Sequence, residues 1–156
     1  QLLVEACDIQ DVVGFALRRF SQRRSSYPVQ VSVPDDLPLV LIYVELIAKV
    51  LLNLLDNAAK YSPENGTIEI QGRQDAHEAI LTVLDCGIGI PDADLSRIFD
   101  KFYRSSRSHG IGGIGLGLSI SKGIVEVHNG RIWAENRPSG GTAISLALPI
   151  QREVKA

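Results

Sequence analysis

A chain of 156 residues can bury roughly 70% of its unfolded surface as one domain, and 45% apolar with 22% charged residues describe a soluble globular protein rather than a disordered one. The longest apolar run, 37–44, holds Pro38 and is far too short to span a bilayer, and a formal charge of −2 lacks the basic excess of nucleic-acid binders, so neither a membrane nor nucleic acid is an expected partner. Cys7 and Cys86 form no metal-ligand spacing and fit a reducing cytoplasm.

In chain order, residues 2–6 read as a short strand, and Asp8 as the N-cap of a helix reaching about Gln22, with Val12, Val13, Ala16, Leu17 and Phe20 at helical spacing. Val29, Val31 and Val33 alternate with polar residues, which is strand behaviour, before Pro34, Asp35, Asp36 and Pro38 break the chain. The spacing predicts a helix over 44–61. At about 100° per residue, Val44, Ile47, Val50, Leu51, Leu54, Leu55 and Ala58 make one apolar arc, and Glu45, Lys49 and Asp56 a solvent arc. Asn53, Asn57 and Lys60 lie on the border between them, where a helix at the rim of a core presents side chains to a pocket. Asn costs about half a kcal/mol relative to Ala inside a helix, so two of them there call for a reason.

Pro63 to Gly66 ends that helix with turn chemistry. Residues 67–73 and 79–84 alternate as a hairpin joined by 74–78, 94–99 reads as a short helix, and 104–113 is polar, glycine-rich and without either period. Helical spacing resumes over 119–128 and stops at Asn129-Gly130, and 131–136 with 142–148 forms a closing strand pair around Pro138 to Gly141. The sum is about five strands and three main helices, an α+β domain with helices on one face of a mixed, mostly antiparallel sheet.

Asp85 ends a strand and opens a turn with Gly87 and Gly89 that lets backbone approach a flat ligand. A carboxylate there can accept from the exocyclic amino group of adenine and repels the oxygen that guanine presents, a difference of about 1.5–3 kcal/mol; an ordinary Asp-x-Gly turn would use the same residues. Asn53, Asn57 and Lys60 project to one side of their helix. Amide oxygens can hold a hard cation without adding negative charge beside a triphosphate, and Lys60, with Lys101 or Arg104, can neutralise phosphate oxygens, although the same residues would serve as a solvated polar face. The glycines of 110–117 lead into the helix that follows, and amides at a helix N-terminus favour phosphate. Gly110-x-Gly112-x-x-Gly115 matches the dinucleotide fingerprint formally but follows no strand, and neither a P-loop nor a protein-kinase catalytic loop is present.

In this order the blocks resemble the N, G1, F and G2 boxes of the catalytic and ATP-binding domain of bacterial sensor histidine kinases. Asn53 to Tyr61 is similar to the N box, Asp85 to Ile90 to G1, Ile98 to Arg104 to F and Gly113 to Leu118 to G2, with Gly140-Gly141-Thr142 like a last glycine motif. The likeness runs over about 2–149, and that of 128–141 and the Asn-Ala-Ala-Lys-Tyr run points to the potassium-responsive branch. The resemblance implies a two-layer α/β sandwich, the Bergerat fold, with ATP and Mg²⁺ as cofactors. It implies that Asp85 reads adenine, with Gly87, Gly89 and Ile90 in its turn; that Asn53, Asn57 and Lys60 serve catalysis, the two asparagines as metal ligands; and that Asn57, Lys60, Tyr61, Lys101 and Arg104 touch nucleotide. Gly113, Gly115, Leu116, Gly117, Leu118 and Thr142 complete the implied nucleotide site, Phe99 and Phe102 anchor a lid, and Cys86 and Ile114 depart from the usual pattern.

Relatives that hydrolyse ATP carry a glutamate where Asn53 stands, and an amide accepts no proton at neutral pH, which favours transfer to a supplied nucleophile. The family's nucleophile is a histidine on a separate dimerisation domain. His77, His109 and His128 lack that motif's context and read as ordinary surface histidines. With no methionine in the chain, the expectation is a single catalytic domain over 1–156 cut from a longer protein. Its partners would be that dimerisation domain and a cognate response regulator, and its place the cytoplasmic side of a parent in the bacterial inner membrane. An ATP hydrolase and a non-catalytic nucleotide-binding module are the alternatives.

Overall fold

The computed structural model describes residues 3–23, 27–63, 66–101 and 117–150. Two sheets carry the strands. The smaller pairs β1 (Val4–Cys7) antiparallel with β3 (Val40–Tyr43). The larger has five strands in the order β2 (Val29–Ser32), β4 (Ile68–Asp75), β5 (Glu78–Leu84), β7 (Thr142–Pro149), β6 (Arg131–Asn136), antiparallel except for the parallel β2–β4 edge.

Strand period decides which face is buried. Ile70, Val83 and Ile144 stand in one row across β4, β5 and β7, and Leu81 with Leu146 and Ala79 with Leu148 in the next two; all belong to the core. Against this face lie α1 (Ile9–Arg23), α2 (Val44–Tyr61) and α3 (Gly117–Val127), with α2 in the middle and packed on both others. That position widens the apolar arc of α2 beyond the sequence expectation: Ala48, Leu52 and Ala59 are buried together with Ile47, Val50, Leu51, Leu54, Leu55 and Ala58. The helix starts directly from the extended Tyr43. It stops where Pro63 holds Ser62 extended, at φ −91° and ψ 148°.

Asp8 caps α1 as expected, its Oδ1 accepting from the Gln10 amide at 2.9 Å, and Asn129, at φ +59°, ends the last helix in the left-handed region. Two elements differ. The strand β3 was not foreseen, because its apolar residues run into α2 without a break. The helix expected over 94–99 is instead a 3-10 turn, Asp92–Asp94, continued by further turns. Asp94, Arg97 and Asp100 donate to the carbonyls of Pro91, Asp94 and Arg97 at 2.8–2.9 Å, and a segment this short does not repay the nucleation of an α-helix.

Candidate nucleotide site

Of the expected residues that the structure describes, Asp85, Gly87, Thr142 and the end of α2 come together at one end of the larger sheet, where β5 ends, β7 begins and α2 stops. Asp85, the residue after β5, is only 5% exposed. Its Oδ1 accepts from the backbone N–H of Gly87 at 2.9 Å and of Thr142 at 3.1 Å, and its own N–H donates to the Thr142 carbonyl at 2.9 Å. Among the described residues nothing donates to Oδ2, so that oxygen keeps its full capacity as an acceptor. Burial pushes the Asp85 carboxyl above the usual carboxylate range, against the opposing pull of the Gly87 and Thr142 amides and the Arg137 cation.

Glycine is required twice by close approach. A Cβ on Gly87 would lie 2.3 Å from the Tyr61 carbonyl oxygen, so the Asp85 turn rests on the last residue of α2. One on Gly141, at φ +92°, would lie 2.1 Å from the Asp85 carbonyl oxygen. These contacts bring the C-terminal end of α2, and with it Asn57, Lys60 and Tyr61, to the turn that holds Asp85.

Asn53, Asn57, Lys60 and Tyr61 are all half-buried along the border of α2. The Asn53 Nδ2 donates to Oγ of Ser121, a wholly buried residue of α3, at 3.3 Å, which leaves the Asn53 Oδ1 without a donor among the described residues. The Asn57 amide has no hydrogen-bond partner among them either. Two neutral, hard oxygen donors one helical turn apart suit a divalent ion that takes its remaining ligands from phosphate and water, and no cluster of three or more His, Cys, Asp or Glu offers a rival site among the described residues. The Lys60 Nζ lies 5.6 Å from the centre of the Tyr61 ring.

Gly89, at φ +74°, and Ile90 continue the turn, and Lys101 is exposed after it. Gly117 and Leu118 form the first turn of α3, and Phe99 packs half-buried on the core. Phe102, Arg104, His109, Gly113, Ile114, Gly115 and Leu116 lie outside the described residues.

Three residues went unforeseen and one was misread. Asn136, the last residue of β6, and Arg137, the next, bond to the backbone of Ile90 and Asp85, and Ser121 holds Asn53. Alternation along 131–136 marked a strand and gave no sign of what its last residue touches. His128 is not a surface histidine. It is 9% exposed, its Nε2 accepts from the Tyr43 amide at 3.1 Å, and its Nδ1 donates to the Ile124 carbonyl at 2.7 Å. That tautomer pins the end of α3 to the junction of β3 and α2, a tertiary use that a helix-end position in sequence does not reveal.

Residues 43–152 match the family described as histidine kinase-, DNA gyrase B-, and HSP90-like ATPase. The sensor protein KdpD of Clostridium acetobutylicum is 40% identical over 143 residues, covering 90% of this chain and 16% of that relative, so the chain spans about a sixth of its length. Among solved structures, the mycobacterial sensor histidine kinase MprB superposes with a TM-score of 0.84 at 31% identity over 96% of this chain and 100% of that one. Histidine kinase ThkA in complex with the response regulator protein TrrA gives 0.80 at 25% identity, over 96% and 42%. No helix among the described residues is long and apolar enough to cross a membrane.

Proposed function

The chain belongs to the histidine kinase-, DNA gyrase B-, and HSP90-like ATPase family, and from that premise we propose that it is the ATP-binding catalytic unit of a sensor histidine kinase, passing the γ-phosphoryl group to a histidine on a separate dimerisation domain. The observation that carries this reading is the half-satisfied carboxylate of Asp85. With Oδ1 fixed by two backbone amides, Oδ2 faces its ligand as a charged acceptor, which suits the exocyclic amino group of adenine and excludes the guanine oxygen.

Phosphate would then lie toward α2 and the start of α3. Asn53 and Asn57 would hold Mg²⁺, which neutralises phosphate charge when bound, and Lys60, Lys101 and Arg104 would meet phosphate oxygens. Gly113, Gly115, Leu116, Gly117, Leu118 and Thr142 would close around the nucleotide. In the transfer, a ring nitrogen of the acceptor histidine bonds to the γ-phosphorus as the bond to the bridging oxygen breaks and ADP leaves. Asn53 at the position where hydrolytic relatives carry glutamate supports transfer over hydrolysis, since an amide cannot draw a proton from water.

The likeness to a kinase solved with its response regulator supports such a regulator as the downstream partner, and the likeness to KdpD supports a membrane-bound parent with this unit on its cytoplasmic side. Incubating the chain with γ-labelled ATP, Mg²⁺ and the parent's purified dimerisation helices tests the reaction. Acid-labile, base-stable label on those helices is expected. Free phosphate alone would favour a hydrolase, and no turnover with bound ATP a regulatory module.

A further inference from the structure

The turn from Asp85 to Asp92 must hold its shape for Asp85 to read a base, yet its own sequence restrains it little. Gly87 and Gly89 lie within it, and glycine loses more backbone freedom on ordering than any other residue. Close contacts with Tyr61 and Gly141 restrain its first residues, but beyond Gly87 packing supplies less: an open cavity of about 240 Å³, lined by Ile88, Pro91, Arg137 and Gly140 among others, lies between the rest of the turn and the β6–β7 connection. What crosses the gap is a pair of polar side chains.

We propose that Asn136 is a positioning residue for nucleotide, holding the adenine-reading turn in its binding shape with the help of Arg137. The Asn136 Oδ1 accepts from the Ile90 N–H at 2.8 Å, while its Nδ2 donates back to the Ile90 carbonyl and to Oδ1 of Asp92 at 3.0 Å. One amide thus pairs with one backbone residue as a neighbouring strand would. A Cβ on Gly89 would lie 3.1 Å from the same Oδ1, so Asn136 sits directly under the glycine with φ +74°. At the other end of the turn, Arg137 Nη1 donates to the Asp85 carbonyl at 2.8 Å. Consecutive residues therefore grip both ends of the turn from outside and leave the Asp85 carboxylate to the site.

Asparagine suits this position because it offers a donor and an acceptor on one short side chain; aspartate keeps only acceptors when ionised. Neither Asn136 nor Arg137 needs to touch ligand. A turn already in its bound shape loses less entropy on binding, so removing the grip weakens nucleotide affinity. The inference rests on Asp85 being the base-reading residue.

Titration calorimetry of the chain with Mg²⁺ and a nonhydrolysable ATP analogue tests both ideas together. Asn136→Ala is expected to bind about tenfold more weakly. Asn136→Asp is expected to be as weak near about pH 8, and to approach the wild-type affinity at matched pH as its carboxyl protonates and regains a donor toward Ile90. In the unaltered, nucleotide-free protein the Ile90 amide should exchange slowly with solvent. A purely structural role would lower the melting temperature and leave affinity alone. Affinity of Asn136→Ala within about twofold of wild type, a wild-type to Asn136→Asp ratio that is flat with pH, or fast exchange at Ile90 would each overturn the proposal. Asp85→Asn separates the failures. Binding lost there but kept in Asn136→Ala removes only the positioning role, whereas no binding by the wild-type chain removes the nucleotide reading as well.

Discussion

A carboxylate that is 5% exposed is held at a cost, and the sign of that cost makes a prediction. Because burial raises the Asp85 carboxyl above its unfolded value, the native state binds more protons than the unfolded one between the ordinary carboxylate range and the raised value. Stability therefore falls as pH rises through that window, and above it the ionised group opposes folding. Asp85→Asn keeps an oxygen for the Gly87 and Thr142 amides and removes the buried charge. It should unfold at equal or higher urea than wild type at pH 7 while binding ATP about 10- to 100-fold more weakly, the worth of a hydrogen bond to a charged group. A variant that is destabilised but binds normally would show that the carboxylate serves the turn and nothing else. Wild-type affinity should itself fall as pH drops through the raised value.

Among the elements, α2 and the β4–β5 hairpin were legible because each buries one face, and a single period of 3.6 or 2 records which. β3 was not, since Val40–Tyr43 passes into α2 with no turn residue to mark the change. In the site, the Asp85 turn and the α2 border could be read because their residues are close in sequence. Asn136 meets Ile90 from 46 positions away, and His128 meets Tyr43 from 85; such pairs depend on strand register and helix packing, which local pattern does not encode. His128 makes this testable between elements. Its ring lies edge-on to Tyr43, with centres 5.5 Å apart. His128→Phe keeps an aromatic ring but strands the Tyr43 N–H and should lose about 1–3 kcal/mol of stability, read as a lower urea midpoint at unchanged slope. An unchanged midpoint would mean that water replaces the imidazole there.

At the scale of the whole molecule, the site has no element to itself. Asp85 follows β5, Thr142 opens β7, Asn53 and Asn57 ride on α2, and Ser121 reaches Asn53 from α3. The sheet order places β5 beside β7 at the centre, so the turn proposed to read the base stands on the least exposed part of the sheet. Helices on one face leave one end of that sheet for a ligand, and the asparagines of α2 lie at the edge between the layers. A nucleotide bound as proposed would touch both Asn53 on α2 and Thr142 on β7 at once, residues far apart in the chain. Titrating the isotope-labelled chain with Mg²⁺ and a nonhydrolysable ATP analogue, and following each backbone and Asn side-chain amide by NMR, tests that convergence. The account predicts that Asn53, Asn57, Gly87, Gly89 and Thr142 shift together along one saturation curve, with GTP far weaker. Saturable binding that shifts amides elsewhere and leaves these five still would contradict it.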